Sequence, residues 1–505
     1  MLDRRNLKIL VFSCVLLALV LAVGTFLLSE RQYCMDVPLI PEGKLSQYTE
    51  VSTLDISQLR FNGEKIAADL AKNTIYISQA ADILSHHSSL QGRLDSENTN
   101  HSLFFVRNSV LENVSSAVQS GTPLSLVVVD GSICQLVNVV ITTLPVINID
   151  GAVTHQDEEG RAVYSGFATI WSGFDPSTEA YSTISSDLQW HVRGSSASIQ
   201  PKNPWKLSFK NESGENQNVE LLGLGRDDDW ILNSLTMDDT RIKEKLFMDL
   251  WNIIAAGTDY NYKMSSGEYV EAVINGKYTG VFLLQRRLDA KYLELSDEDV
   301  LLKVTNYQAT SAKEAYEFVT PSVNTEEIYA IMQGVFEGRD PSSYNLYNVI
   351  DVNLMLQLAS ARDNFSLKNM YHVLKKTDDG YAHFLVPWDT DQSFGVVWKE
   401  GFAFCYDYQM SLGEFGVRME TPALQKTYPE YQQKAIERWN YLRQTTLAEE
   451  KILSYIDELY GQLSISGAFA RDVSVWSNRY GEADTVSALK DFVRDRLAFV
   501  DEHYR

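Results

Sequence analysis

ARDNFSLKNMYHVL (361–374) and, after a polar turn, YAHFLVPWDTDQSFGV (381–396) are the stretch on which the fold and chemistry of this chain turn. NMYHVL and HFLVPW are short apolar and aromatic runs separated by turn residues, the pattern of two strands. Paired as a hairpin, they bring Asn369 and Asp389 to the same mouth, with Asp363 close by on the loop after the helical run VNLMLQLASA (352–361). Two oxygen ligands and a nearby carboxylate are what Mg²⁺-assisted phosphoryl transfer needs. The cation keeps water and phosphate oxygens in its shell, and the remaining Asp orients or deprotonates the attacking hydroxyl. Two other readings stand beside this one. The carboxylates can be ordinary caps and turn formers, or Asp363 and Asp389 can flank a sugar cleft as a glycosidase pair.

Working outward, the chain after about Glu326 is mainly helical, through ERWNYLR (437–443), EEKILSYIDELYGQL (449–463) and VSALKDFVRDRLAFVDEH (486–503). Ahead of it, AVYSGFATIWSGF (162–174), WHVRGSSASIQPKNPWKLSFK (190–210), EYVEAVING (268–276) and YTGVFLLQRR (278–287) are β-rich. Asn275-Gly276 joins the last two as a tight hairpin, and a helix is expected at about Asp238 to Ile254. A β-rich half followed by a helical half predicts an α+β domain of two lobes with a site between them.

RGSSASIQPKNPWKLSFK, DDWILNSLTMDDTRIKEKLFMDL, VINGKYTGVFLL, DNFSLKNMYHVL and WDTDQSFG follow one another in the order seen in the spore-coat CotH kinase family, which the chain resembles over about residues 145–505. The resemblance implies an atypical protein-kinase-like fold that uses ATP and Mg²⁺ (or Mn²⁺) to phosphorylate Ser or Thr of a protein. It implies that Asp363 is the catalytic base and that Asn369 and Asp389 are metal ligands, with Asp391 a second candidate at the metal. Arg193, in the Gly-Ser turn 193–196, is expected to meet phosphate. So is a strand lysine, either Lys202 in its Pro-Lys position or Lys206, with Glu244 of the helix as ion-pair partner. In the hairpin the family usually carries an acidic residue near the place where this chain has Gln285-Arg286. The kinase-like domain divides into a small lobe of about 145–325 and a large lobe of about 326–505. Alternatives from other classes are a kinase-fold surface binding or assembly protein without phosphotransfer, and a carbohydrate-active enzyme.

The N-terminal part has a different character. Ile9 to Leu28 is an uncharged apolar run preceded by Arg4, Arg5 and Lys8. Its length suits a single transmembrane helix, and the basic flank keeps the N-terminus cytoplasmic and the remainder outside. Residues 1–30 are then an anchor in the cell membrane. Residues 31–144 form a polar stalk and a small β-rich module, read as a sandwich. The substrate expected for such a protein is an envelope or coat protein.

The chain has 505 residues and a formal charge of −23, and its pI is near 4.8. Such acidity excludes a general nucleic-acid binder, because phosphates are repelled over most of the surface. An ATP pocket in this body must therefore be a local basic island. The four cysteines (Cys14, Cys34, Cys134, Cys405) are too few for a disulfide scaffold and lack zinc spacing.

Overall fold

The computed structural model describes residues 33–79, 90, 92–175, 180–194, 197–306, 309–320, 325–337, 341–364, 369–397, 403–404, 422–479, 481 and 484–504. The apolar run 9–28, and with it the expected anchor, lies outside the described residues. Among the described residues no helix is long and apolar enough to cross a membrane.

The N-terminal module holds a mixed eight-stranded sheet and a small three-stranded one made of Leu59–Phe61, Glu64–Lys65 and Leu94–Ser96. The strands of the large sheet are β1 (Tyr33–Cys34), β2 (Val37–Ile40), β3 (Thr49–Glu50), β4 (Ala67–Asp69), β5 (Thr74–Ser78), β6 (His101–Val106), β7 (Leu124–Asp130) and β8 (Ile133–Thr142). They run in the order β1-β2-β6-β7-β8-β5-β4, with β3 paired to β8. The residues read as a stalk thus supply three of the strands. Helix α1 (Arg107–Ser120) packs on the large sheet, the small sheet shares its core, and the β2–β6 and β5–β8 pairings are parallel. Parallel neighbours require crossover connections in place of tight hairpins. Cys34 and Cys134 are buried free thiols, so these two do not bridge.

Seven strands then close into a barrel. They are β9 (Val146–Gln156), β10 (Ala162–Asp175), β11 (Ala180–Val192), β12 (Trp205–Lys210), β13 (Asp229–Asn233), β14 (Gly267–Ile274) and β15 (Lys277–Arg286). The order is β9-β10-β11-β12-β13-β15-β14, closed by β14 lying parallel to β9. Alternation decides what the barrel encloses. Leu207, Phe209, Trp230, Leu232, Phe282 and Leu284 fill it. Their strand neighbours Val281 and Leu283 point out and join the core of the helical lobe. The two lobes therefore share packing along the β15 wall.

Between β13 and β14 runs helix α2 (Lys243–Ala256). It starts five residues later than the expected Asp238. The buried Asp238 accepts hydrogen bonds from Thr240 N–H, Thr240 Oγ1 and Lys243 N–H at 2.8, 2.6 and 2.7 Å, which holds 238–242 as a turn ahead of the helix. The helical lobe adds a four-stranded sheet, β16 (Val300–Val304), β17 (Tyr316–Phe318), β18 (Met370–Thr377) and β19 (Gly380–Pro387), in the order β17-β16-β18-β19. Around it stand α3 (Thr325–Phe336), α4 (Leu346–Ala359), α5 (Tyr431–Gln444), α6 (Glu449–Ser464), α7 (Ala468–Val475) and α8 (Val486–His503).

Helix α4 is apolar nearly all round and buried, packed against α2, α5, α8 and β19. The Asn345 side chain caps it at Asn348 N–H. One turn in, the Asn348 amide donates to Leu385 O at 3.0 Å and accepts from Leu385 N–H at 2.7 Å. A two-way bond from a buried helix to the β19 backbone fixes where the end of that strand sits.

Candidate active site

Helix α4 ends at Ser360, whose left-handed backbone (φ 51°) turns the chain so that Ala361 N–H bonds back to Leu356 O at 3.1 Å. Asp363 and Asn364 follow in a short 3-10 turn. Asn364 is fully buried, and its amide nitrogen donates to Asn369 O at 2.9 Å and Trp388 O at 2.8 Å. This one side chain clamps the start of β18 to the end of β19. The two strands pair from Met370 opposite Pro387, and Trp388 N–H bonds to Asn369 O at 3.0 Å. Asn369 and Asp389 thus stand at one mouth, the placement that hairpin pairing requires.

At that mouth the Asn369 amide nitrogen donates to Asp363 Oδ2 at 2.8 Å. Gln392 Nε2 approaches the same oxygen at 3.4 Å. Asn369 and Asp389 both adopt left-handed backbones (φ 55° and 54°), which short polar side chains tolerate better than β-branched ones. The loop after Asp389 is held to α4 by a bond from Phe394 N–H to Ala359 O at 2.6 Å. Thr390, Gln392 and Ser393 are buried.

The electrostatics are those of crowded carboxylates. Burial, then the charges of Asp389, Glu244 and Asp363, hold Asp391 well above the usual carboxylate range. Burial, then Asp389, pushes Glu244 up to about 8, against the opposing effect of its hydrogen bond from Asn233 and of the Arg193 charge. Four acidic groups from α2, the 3-10 turn and the 389–391 loop therefore repel one another across a small space. Arg193 is the cation that acts on Glu244 from the barrel side, and its guanidinium lies 5.6 Å from the centre of the Trp388 ring.

The donor chemistry suits Mg²⁺ or Mn²⁺. The set is all oxygen, and with the Asn369 nitrogen engaged by Asp363, its amide oxygen is the end left for a cation. Among the described residues no three His, Cys, Asp or Glu side chains are already gathered as a metal cage. A cation held here by Asn369 with Asp389 and Asp391 would keep water or phosphate oxygens in the rest of its shell.

The other expected residues are distributed differently. Lys206 is half-exposed and pairs with Asp229 at 2.9 Å. Glu244 Oε2 accepts from Asn233 at 2.8 Å, so the expected Lys206–Glu244 ion pair is not made. Both Lys206 and Asp229 lie on the outer face of the β12–β13 pair, and Arg287 joins the same carboxylate at 2.8 Å. Lys202 is corrected more sharply. It is 2% exposed, sits 2.7 Å from Asp472 Oδ1 of α7, donates to Val281 O and lies over the Phe282 ring. Burial lowers its pKa to about 8 against the pull of Asp472. A lysine committed in this way ties barrel to helix and is not turned to phosphate. Arg286, the cation in the family's acidic neighbourhood, is neutralised by Asp227 at 2.9 Å. Ser195 and Ser196 lie outside the described residues.

Residues 190–500 match the CotH kinase protein family. The chain belongs to the CotH kinase family. No curated protein matches it. The CotH match begins within β11 and takes in Arg193, Glu244, Asp363, Asn369, Asp389 and Asp391, while the N-terminal module and strands β9 and β10 precede it. Membership suggests a kinase-like function. Two site residues escaped the sequence reading. Asn364 was visible only as the neighbour of Asp363, and nothing local marks it as a clamp. Asp472 follows Arg471 in an ordinary helical run, and only the buried pairing shows its partners.

Proposed function

We propose that this CotH-family protein transfers the γ-phosphoryl group of ATP to a Ser or Thr hydroxyl of a protein, in a Mg²⁺-dependent reaction. The observation that carries the reading is the Asp363–Asn369 contact of 2.8 Å at the mouth that also presents Asp389 and Asp391. Asn369 and Gln392 orient the Asp363 carboxylate through Oδ2, and Asp363 accepts the proton of the attacking hydroxyl. Asn369, Asp389 and Asp391 hold the divalent cation, which when bound supplies charge neutralisation of the phosphates. Arg193 approaches the same space as a cation and suits the phosphate chain. Family membership supports the reaction class. The acidic exterior favours a basic or neutral protein acceptor over an acidic one. In keeping with the run 9–28, the acceptor is an envelope or coat protein met outside the membrane.

Full-length protein incubated with γ-labelled ATP and Mg²⁺ tests the reading. Wild type is expected to label a protein acceptor on Ser or Thr. Asp389→Ala should abolish labelling, and Asp363→Asn should cut it by about 10²–10⁴-fold, the usual contribution of a general base. Equal labelling by wild type and Asp389→Ala would sink the mechanism.

A further inference from the structure

The outer face of the barrel wall carries a row of side chains that the phosphate chemistry does not use. Lys206 stands opposite Ile231, Ile231 opposite Gln285, and Gln285 opposite Gly267, one residue each from β12, β13, β15 and β14. Residues directly opposite in antiparallel strands share a face. Trp230, Leu232 and Leu284, the neighbours of Ile231 and Gln285 along their strands, fill the barrel. The row therefore faces out, toward the helical lobe. Asn233, two residues beyond Ile231 and on the same face, reaches Glu244 at 2.8 Å, which joins this face to the carboxylate mouth. From the other side, Tyr371 of β18 feels the charges of Arg287 and Arg193 together. The row lies on the barrel face turned to the helical lobe, the lobe that carries Asn369 and Asp389.

Gln285 is the anomaly in this row. It is 1% exposed, and its Oε1 is buried with no hydrogen-bond partner among the described residues. Arg286, by contrast, is bound to Asp227 at 2.9 Å. A buried amide oxygen left unmatched is costly, and most buried polar side chains are paired. Its two cross-strand neighbours carry no side-chain donor. Ile231 is apolar, and Gly267 has no side chain; a Cβ there would come within 3.0 Å of Gln285 Cβ.

We infer that Gln285 reads the base of the nucleotide, pairing its carboxamide with the hydrogen-bonding edge of adenine while Ile231 gives the ring an apolar surface. This rests on the phosphotransfer reading above. A primary amide offers an acceptor beside a donor, and adenine offers an amino donor beside a ring-nitrogen acceptor, so the two match in a bidentate pair. The adenine amino group gives the orphan oxygen its missing donor. Guanine presents O6, an acceptor, at the corresponding position and leaves the oxygen unmatched in that orientation.

The test is calorimetric titration of the full-length protein with ATP, GTP and inorganic tripolyphosphate, each with Mg²⁺. Wild type should bind ATP more tightly than GTP and than tripolyphosphate. Gln285→Met and Gln285→Leu should lose about tenfold or more in ATP affinity, the scale of one bidentate base contact. Both should leave tripolyphosphate affinity unchanged. Because each removes an unmatched buried acceptor, each should melt no lower than wild type, whereas a structural role would lower the melting temperature. ATP affinity unaltered in both variants overturns the inference and leaves phosphotransfer standing; it would mean that a buried water serves Oε1. An equal fall for ATP and tripolyphosphate also overturns it. Failure of wild type to bind any of the three overturns the phosphotransfer reading, and this inference with it.

Discussion

Asp363, Asn369, Asp389 and Asp391 owe their chemistry to one hairpin and its flanking loops, which bring Asn369 within 2.8 Å of Asp363 at the mouth where the chain reaches Asp389 and Asp391. Their spacing was legible because a hairpin has only one way to bring its two ends together. Glu244 was legible only as an acidic residue on a helix, and its role changes with its surroundings. A lysine partner would have held it charged. Burial and the nearby Asp389 instead raise its pKa to about 8. An acid whose folded pKa lies above its ordinary 4.5 binds its proton more tightly when folded, so its stabilising contribution is complete below that ordinary value and is lost as pH rises toward about 8. Thermal melts of the cation-free protein should therefore fall through this window. Glu244→Gln, which can still accept from Asn233, should flatten the fall, and an unchanged pH profile in that variant would exclude Glu244 as its source.

At the scale of elements, helix α7 decides how the barrel meets the helical lobe. Asp472 receives Lys202 at 2.7 Å, Arg241 Nε at 2.9 Å and Val281 N–H at 2.8 Å. One residue earlier, Arg471 grips Glu271 with two hydrogen bonds of 3.0 and 2.8 Å. Gly280 explains itself here. Its backbone is left-handed (φ 95°), and a Cβ would fall 2.1 Å from Asp472 Oδ1, so only glycine lets the carboxylate reach the strand. Removing one member of a buried ionic group leaves the others uncompensated. Asp472→Ala should cost about 3–5 kcal/mol in denaturant unfolding. A Lys202→Met, Asp472→Leu pair should cost less than the sum of its single changes. Lys202→Ala should therefore lose activity together with stability, whereas Arg193→Ala should lose nucleotide affinity with stability unchanged. The lysine of the Pro-Lys motif is visible in the sequence. Its partner lies 270 residues away, and no local pattern announces a contact at that separation.

Over the whole molecule, the N-terminal module is built onto the barrel. Val146, Trp171, Val273 and Tyr278 of the barrel lie in the same core as the strands of the module. Tyr76 and Tyr278 stack with centroids 4.7 Å apart, and Leu70 N–H bonds to Gly276 O at 2.9 Å. Each such side chain is worth about 1.5–3 kcal/mol when buried. Residues 145–505 produced alone should thus melt well below the full-length protein, and equal melting temperatures would show the module to be a passenger. By itself the sequence determined the alternation of strands and helices and the order of the motifs. It also determined the hairpin that carries Asn369 and Asp389, because these follow from periodicity and from contacts between near neighbours. Only the tertiary structure decided that the β-rich half closes into a barrel, that Lys202 is buried against Asp472, and that Gln285 faces the helical lobe with its oxygen unmatched among the described residues. Those outcomes depend on which distant surfaces exclude water together, and burial of that kind is a property of the packed chain that no short segment carries.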